Sequence, residues 1–502
     1  MSNIRVDKAL SDQFIIPSNK DIGATAVPEE NGELLRYITS ISLSSGHPAD
    51  QRCTYLCGNS LGPLNKRSKA LLQEELHVWG TRAVEGHFAH PYGREWVSIT
   101  DTVTPLLADL VGASENEVAC MSTLTANLHL MMATFYKPTA GRFKILCEGR
   151  AFPSDQYAFD SQARLHGYDP NEAIIEMWPR EGEYTLRESD ILDLITKEGP
   201  SIALVIFSGV QYYTAQWFPM KAITNAAKAQ GCICGWDLAH AIGNVPMALH
   251  DWGVDFAVWC SYKYLNSGPG GVGGLFVHKK WENILRPQCV IVFVIAAFSL
   301  CWSVLNDVTF RYAGWFGHDP VTRFDMPPQF SAIPGAQGFQ QSNPPVLAII
   351  SLLGSLQIFK EVGMMGPLRE RSLQLTSELE TKLMKSRFYV PVNEVSTRYL
   401  LRGGAGGKDH TTQQGQSGFT IITPRDPESR GSQLSLLFLP PDSDVMQKVM
   451  NALSAKGVVG DKRNPNVIRL TPAPLYNTLG DCERAAACLE DAFEGLTEAT
   501  IL

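Results

Sequence analysis

From about residue 115 the chain repeats one rhythm: a short unbroken apolar run, a turn of small and polar residues, then apolar positions at helical spacing. Residues 118–121 lead into Ser122-Thr123-Leu124-Thr125-Ala126-Asn127 and a helix predicted over 128–135. Residues 143–147 lead into Ala151-Phe152-Pro153-Ser154-Asp155-Gln156, residues 202–207 into Ser208-Gly209-Val210, and residues 232–235 into Trp236-Asp237-Leu238-Ala239-His240. A further run, 255–260, opens onto Ser261-Tyr262-Lys263-Tyr264 and a glycine-rich turn over 265–271. Strands apolar on both faces and alternating with helices predict an α/β fold, a mostly parallel sheet covered by helices. Such sheets bind ligands at the carboxyl ends of their strands. The unusual residues of these runs all lie there.

The flanks read differently. Residues 1–50 are polar and irregular, with Pro17, Pro28 and Pro48, and form an arm. Residues 54–57 are a short strand before the turn Gly58-Asn59-Ser60-Leu61-Gly62-Pro63, and a helical pattern covers 66–79. Gly86-His87-Phe88-Ala89-His90 is a loop whose histidines lack the acidic or cysteine neighbours a metal site needs, so no metal is expected. After Pro344-Pro345, helices over 346–362 and 367–385 precede a six-glycine stretch at 401–418 that reads as a mobile loop. Strands at 434–439 and 467–470 around a helix at 445–455 complete a smaller α+β domain. The expected division is 1–75 for the arm and a segment joining the small domain, 76–340 for the large domain and 341–502 for the small one.

Composition narrows the function. A chain of 502 residues with 44% hydrophobic and 19% charged residues suits a soluble globular enzyme of two or three domains. A net charge of −8 argues against a nucleic-acid partner, which calls for basic clusters. The 11 cysteines are odd in number, scattered and without paired CxxC spacing, which points to reduced thiols and a cytoplasmic location. Arg5, Asp7 and Lys8, with no apolar core behind them, do not read as a secretory leader.

The strand-end residues match what a phosphorylated aromatic aldehyde needs. Its phosphate needs N–H donors at a helix start, which Thr123-Leu124-Thr125 supplies, with N-capping by Thr125 compatible. Its ring needs an aromatic face, available at Phe152. A ring nitrogen needs a carboxylate to hold its proton, and Asp237 stands at the next strand's end. The aldehyde needs an amine, and partial desolvation of Lys263 after a buried strand favours the neutral, nucleophilic form.

Phe152-Pro-Ser-Asp155, Phe207-Ser-Gly209, Asp237-Leu-Ala-His240, Ser261-Tyr-Lys-Tyr264, Gly314-Trp-Phe-Gly-His318 and Ser342-Asn-Pro-Pro345 together resemble the kynureninase family. The match extends through Gly460-Asp-Lys-Arg-Asn-Pro-Asn466 and Arg469 to Pro474-Leu-Tyr-Asn477 and covers nearly the whole chain from about residue 54. The resemblance implies a pyridoxal-phosphate enzyme of aspartate aminotransferase fold type I, a homodimer with sites at the subunit interface. It implies hydrolysis of L-kynurenine, or its 3-hydroxy form, to an anthranilate and L-alanine. Lys263 looks like the lysine bonded to the cofactor, freed by substrate to take the α-proton. Leu124, Thr125 and Tyr262 look like phosphate-side contacts, with Tyr262 also near the chemistry. Phe152 resembles the stacking residue, Pro153, Ser154, Asp155, Ser208 and His240 line the cofactor, and Asp237 meets the pyridine nitrogen. Trp315 and Asn343 resemble residues reaching in from the partner, and Arg469 resembles the clamp for the substrate's α-carboxylate. His87 matches a histidine facing the substrate ring, with His90 an alternative in what looks like a longer loop.

One rival is a cysteine desulfurase, which shares fold and cofactor but needs a nucleophilic cysteine on a mobile loop; 401–418 has none. The other is a non-catalytic, membrane-tethered relative, motivated by the uncharged apolar run 289–305. A spanning helix there would divide Lys263 from Trp315, so no membrane partner is expected. The family pattern runs from about Pro287 almost directly to Tyr312, and residues 288–310 read as an aberrant apolar insertion, a translated intron.

Overall fold

Strand β1 (Thr54–Tyr55) belongs to a small core, and the apolar runs after residue 115 build a separate seven-stranded sheet. Its strands are β2 (Val118–Cys120), β3 (Lys144–Glu148), β4 (Ile174–Met177), β5 (Ile202–Ser208), β6 (Ile233–Asp237), β7 (Phe256–Cys260) and β8 (Gly273–Val277), in spatial order β2-β8-β7-β6-β5-β3-β4. The neighbours from β4 to β7 pair in parallel, and β8 is antiparallel to both β7 and β2. The computed structural model describes residues 9–27, 48–282, 311–399 and 416–501. Residues 288–310 and most of the 401–418 loop lie outside them.

Both faces of this sheet are buried, as the unbroken apolar runs require. Val118 and Cys120 enter one core while Ala119 between them enters the other. Strands β4 and β8 have no counterpart in the sequence reading. The second opens on Gly273-Gly274, residues that disfavour a strand locally, yet a Cβ at Gly274 would lie 2.4 Å from the Trp259 ring on the paired strand. Glycine here is a packing residue.

Helices α1 (Lys66–Arg82), α2 (Leu124–Phe135) and α3 (Pro153–Leu165) follow their strands or turns. Helix α2 begins four residues before the predicted start because Thr123, extended at φ −125°, takes the N-cap position. Helices α4 (Val346–Glu361) and α5 (Met365–Met384) are bent by 83° to one another. Helix α4 is apolar all round and buried, placing Ile349, Ile350, Leu352 and Phe359 in the core of the large sheet. The change of core therefore comes after the boundary expected at 341. Among the described residues no single helix is long and apolar enough to cross a membrane.

The small core surrounds a four-stranded antiparallel sheet of β9 (Gly418–Ile421), β10 (Leu434–Leu439), β12 (Asp461–Arg463) and β13 (Val467–Leu470). Helix α6 (Val445–Ala455) and helix α7 (Leu479–Ile501) cover it, and β11 (Val458–Val459) pairs in parallel with β1. Thr471 N–H donates to the Leu56 carbonyl at 2.9 Å, so the chain's early turn at 58–63 is carried beside β13.

Candidate active site

Strands β3, β5, β6 and β7 end beside one another, with Ser208 opposite Asp237 in register. There Leu124, Thr125, Phe152, Ser154, Asp155, Ser208, Asp237, His240, Tyr262 and Lys263 line one cleft. Pro153 opens α3 between two of them. Strand order, rather than sequence proximity, assembles this wall.

The Lys263 loop is braced from two sides. Ser261 Oγ lies 2.6 Å from Ser267 Oγ and donates to the Val272 carbonyl at 2.5 Å, folding the glycine-rich turn back on the strand end. From the early turn, Gly62 N–H donates to the Tyr262 carbonyl at 2.8 Å, and a Cβ on Gly62 would lie 2.3 Å from the Lys263 carbonyl oxygen. Only glycine allows that approach. Lys263 Nζ then stands 5.8 Å from the Phe152 ring centroid and 5.9 Å from that of Tyr262.

Two helix starts meet at the same cleft. Neither Thr123, before α2, nor Phe152, before α3, caps its helix through a side chain. Thr125 does not cap α2 either; it is the second residue inside the helix, and its hydroxyl lies 2.7 Å from Ser154 Oγ. N–H groups at both starts remain suited to an anion.

Beneath the cleft lie three carboxyl groups. Burial, then the Asp237 charge and a hydrogen bond to it, push the Asp155 carboxyl well above its ordinary value, with Lys263 opposing. Asp237 Oδ1 also accepts the Ala239 N–H at 2.7 Å. Glu148, at the end of β3, is pushed up to about 7 by burial, against hydrogen bonds from Ser208. Burial holds His240 well below the usual imidazole value, with Lys263 and Arg469 adding to the effect, so its ring is neutral. His240 Nδ1 and Asp155 Oδ1 are buried without hydrogen-bond partners. Unpaired polar atoms at such depth are costly, and they fit a polar aromatic group with a basic ring nitrogen and a phosphate.

Arg469, on β13, is fully buried just beyond this wall. Its Nη1 donates to the Tyr212 carbonyl at 2.7 Å, and its Nη2 donates to Ser60 Oγ at 2.9 Å and to Asp461. The Tyr212 ring meets Phe152 edge-on at 5.2 Å, linking the arginine to the cleft. Glu148, Tyr212, Ser60 and Asp461 are absent from the sequence-derived set. Ser60 sits in the turn noted above and Asp461 in a quoted motif, but nothing local tells that they meet.

Within one chain, His87, Trp315 and Asn343 do not join the Lys263 cleft. His87 and Asn343 share a second cleft with Trp79, Trp96 and Pro345. Trp315 packs on Phe324 at 5.4 Å, and Phe324 on Phe88 at 5.5 Å, which draws the three together. His90 is buried, its Nε2 2.9 Å from Glu75 and its Nδ1 accepting the Tyr92 N–H. Both of its nitrogens are thus committed to structure.

Comparison with known proteins decides the family. The chain is 45% identical over 452 residues to the kynureninase of Yarrowia lipolytica, covering 88% of this chain and 94% of that one. With the Saccharomyces cerevisiae enzyme it shares 44% over 501 residues, 97% of each chain, and with the Homo sapiens enzyme 45% over 432 residues, 86% and 82%. The chain belongs to the kynureninase family. The aminotransferase class-V family matches residues 81–314 and the kynureninase C-terminal domain residues 408–489. Among solved structures, a cysteine desulfurase from Thermococcus onnurineus aligns over 88% of this chain and 95% of its own at 15% identity and TM-score 0.61. A mutant of C-DES with glycine covalently linked to its pyridoxal-phosphate cofactor aligns over 88% and 96% at 14% identity and TM-score 0.65. These two share the fold type I architecture with this kynureninase-family chain.

Proposed function

We propose that the cleft around Lys263 is where this chain carries out its family's reaction, and we assign its residues accordingly. The protein is a pyridoxal-phosphate-dependent hydrolase. With one water it cleaves the side-chain carbon–carbon bond of L-kynurenine, or its 3-hydroxy form, to L-alanine and anthranilate or 3-hydroxyanthranilate. Pyridoxal phosphate supplies an aldehyde that bonds the substrate amine and an electron-withdrawing ring that stabilises charge at the α-carbon.

The chain's own groups do the rest. Lys263 anchors the cofactor and, once released, moves the proton at the α-carbon. Asp237, with Asp155 and its proton behind it, holds the ring nitrogen protonated. Phe152 covers one ring face, and the starts of α2 and α3, with Thr125 and Ser154, receive the phosphate. Tyr262 and neutral His240 face the same space, and Ser208 is held from behind by Glu148. Arg469 takes the substrate's α-carboxylate and so fixes which bond lies across the ring. The observation that carries this reading is the convergence of Lys263, Asp237, Phe152 and Thr125 on one cleft from four different strand ends. Release of L-alanine from L-kynurenine, dependent on added cofactor and abolished in Lys263→Ala, tests it. No alanine from either kynurenine would refute it.

The working unit is a homodimer. His87, Trp315 and Asn343 lie together but apart from Lys263 of their own chain, which supports their completing the partner's cleft. Mixing Lys263→Ala with Asn343→Ala chains should restore activity toward about a quarter, as random pairing leaves one intact site in mixed dimers. A cytoplasmic location is supported by the free state of every described cysteine.

A further inference from the structure

Arg469, read above as the α-carboxylate residue, is not a bare cation waiting for a ligand. Its Nη2 donates to the Asp461 carboxylate, and the same Asp461 oxygen accepts from Arg463 Nη2 at 2.9 Å and from the Ser60 hydroxyl. A second donor of Nη2 goes to Ser60 Oγ, and Nη1 is engaged by Tyr212. Nε is buried without a partner, and Nη1 keeps a second N–H beyond the one given to Tyr212. A substrate carboxylate seeking the two-pronged Nε/Nη2 face therefore finds one prong free and the other occupied by a carboxylate of the protein itself.

We infer that Asp461 is an internal stand-in for the substrate's α-carboxylate, which yields Arg469 to the substrate and is retained by Arg463. Three features carry this. First, a fully buried guanidinium left uncompensated is expensive, so the free site needs an anion. Second, Asp461 bridges two guanidinium groups, and Arg463 is about a third exposed and stands on the same strand, so it can keep Asp461 paired when Arg469 turns to the ligand. Third, Ser60 touches all three charged groups and can donate to Asp461 throughout. Asp461 is thus a positioning residue that sets how strongly a carboxylate must compete for Arg469, and it leaves amines that bring no carboxylate unaffected.

The consequence has an unusual sign. Removing the competitor strengthens carboxylate binding, whereas removing its second holder, Arg463, leaves Asp461 more firmly on Arg469 and weakens it. In the holoenzyme, inhibition of kynurenine hydrolysis by L-alanine should tighten about fivefold in Asp461→Asn and weaken about fivefold in Arg463→Gln. Inhibition by ethylamine, which has no carboxylate, should stay within about twofold of wild type in both. Asp461→Ser serves in place of Asp461→Asn if the latter does not yield folded, cofactor-coloured protein, with the same tightening expected. If both substitutions weaken L-alanine, Asp461 merely scaffolds Arg469 and the inference fails; equal effects on ethylamine, or no effect, overturn it as well. Failure of the underlying reading looks different, for then wild type would not discriminate L-alanine from ethylamine and Arg469→Lys would leave both unchanged.

Discussion

Glu148 accepts the backbone N–H of Ser208 at 3.2 Å and also its hydroxyl, so that the end of β3 is tied to the end of β5 beneath the cleft. Burial raises this carboxyl from an ordinary value of 4.5 to about 7. The folded protein then binds a proton at Glu148 that the unfolded chain releases in the window between those values. Stability from this group is complete below about 4.5 and is lost as pH rises through about 7, by up to about 3 kcal/mol. Glu148→Gln cannot ionise. Its melting temperature should hold across that window while that of wild type falls, as thermal melts at the two ends of the window, about pH 4.5 and about pH 7, will record.

Lys263→Ala should fold normally and bind cofactor without a covalent link. Borohydride treatment of wild type should fix the cofactor to Lys263, found by peptide mapping, and should fix none to the variant. Label on another lysine would remove Lys263 from its assigned role.

Arg469→Lys keeps a positive charge but loses the planar fork and its set of donors to Tyr212 and Ser60. A loss in kcat/KM of about a hundredfold or more is expected, at about 1.5–3 kcal/mol per charged hydrogen bond, with the visible cofactor spectrum unmoved. Steady-state kinetics and one absorbance scan suffice to check it.

The two histidines of the early loop should part company. His90→Ala strips Glu75 of a buried partner and should cost about 2 kcal/mol of stability, read from denaturant melts. His87 is half-buried and touches Trp96 at a ring distance of 5.1 Å. His87→Ala should leave the melt nearly unchanged and lower turnover instead.

Much of this enzyme is written locally. Periodicity marks β5, β6 and β7 because strands buried on both faces need unbroken apolar runs, and chain continuity then sets Ser208, Asp237 and Lys263 just past their ends. Phe152 and Thr125 follow by the same logic at helix starts. Strand β8 escaped because its opening glycines disfavour a strand locally and answer instead to Trp259 on the neighbouring strand. Helix α4 escaped assignment to the large core because an apolar helix carries no label for the surface it covers. The charges around the α-carboxylate position are the clearest case of what only tertiary structure decides. Ser60 and Arg469 meet from 409 residues apart, through a pairing of β1 with β11 and a bond from Thr471 to Leu56. Residue type gives a side chain its donors and charge. Burial and the company of other charges decide whether Asp461 stays on Arg469 or Glu148 keeps its proton, and both arise from contacts between segments that no local pattern connects.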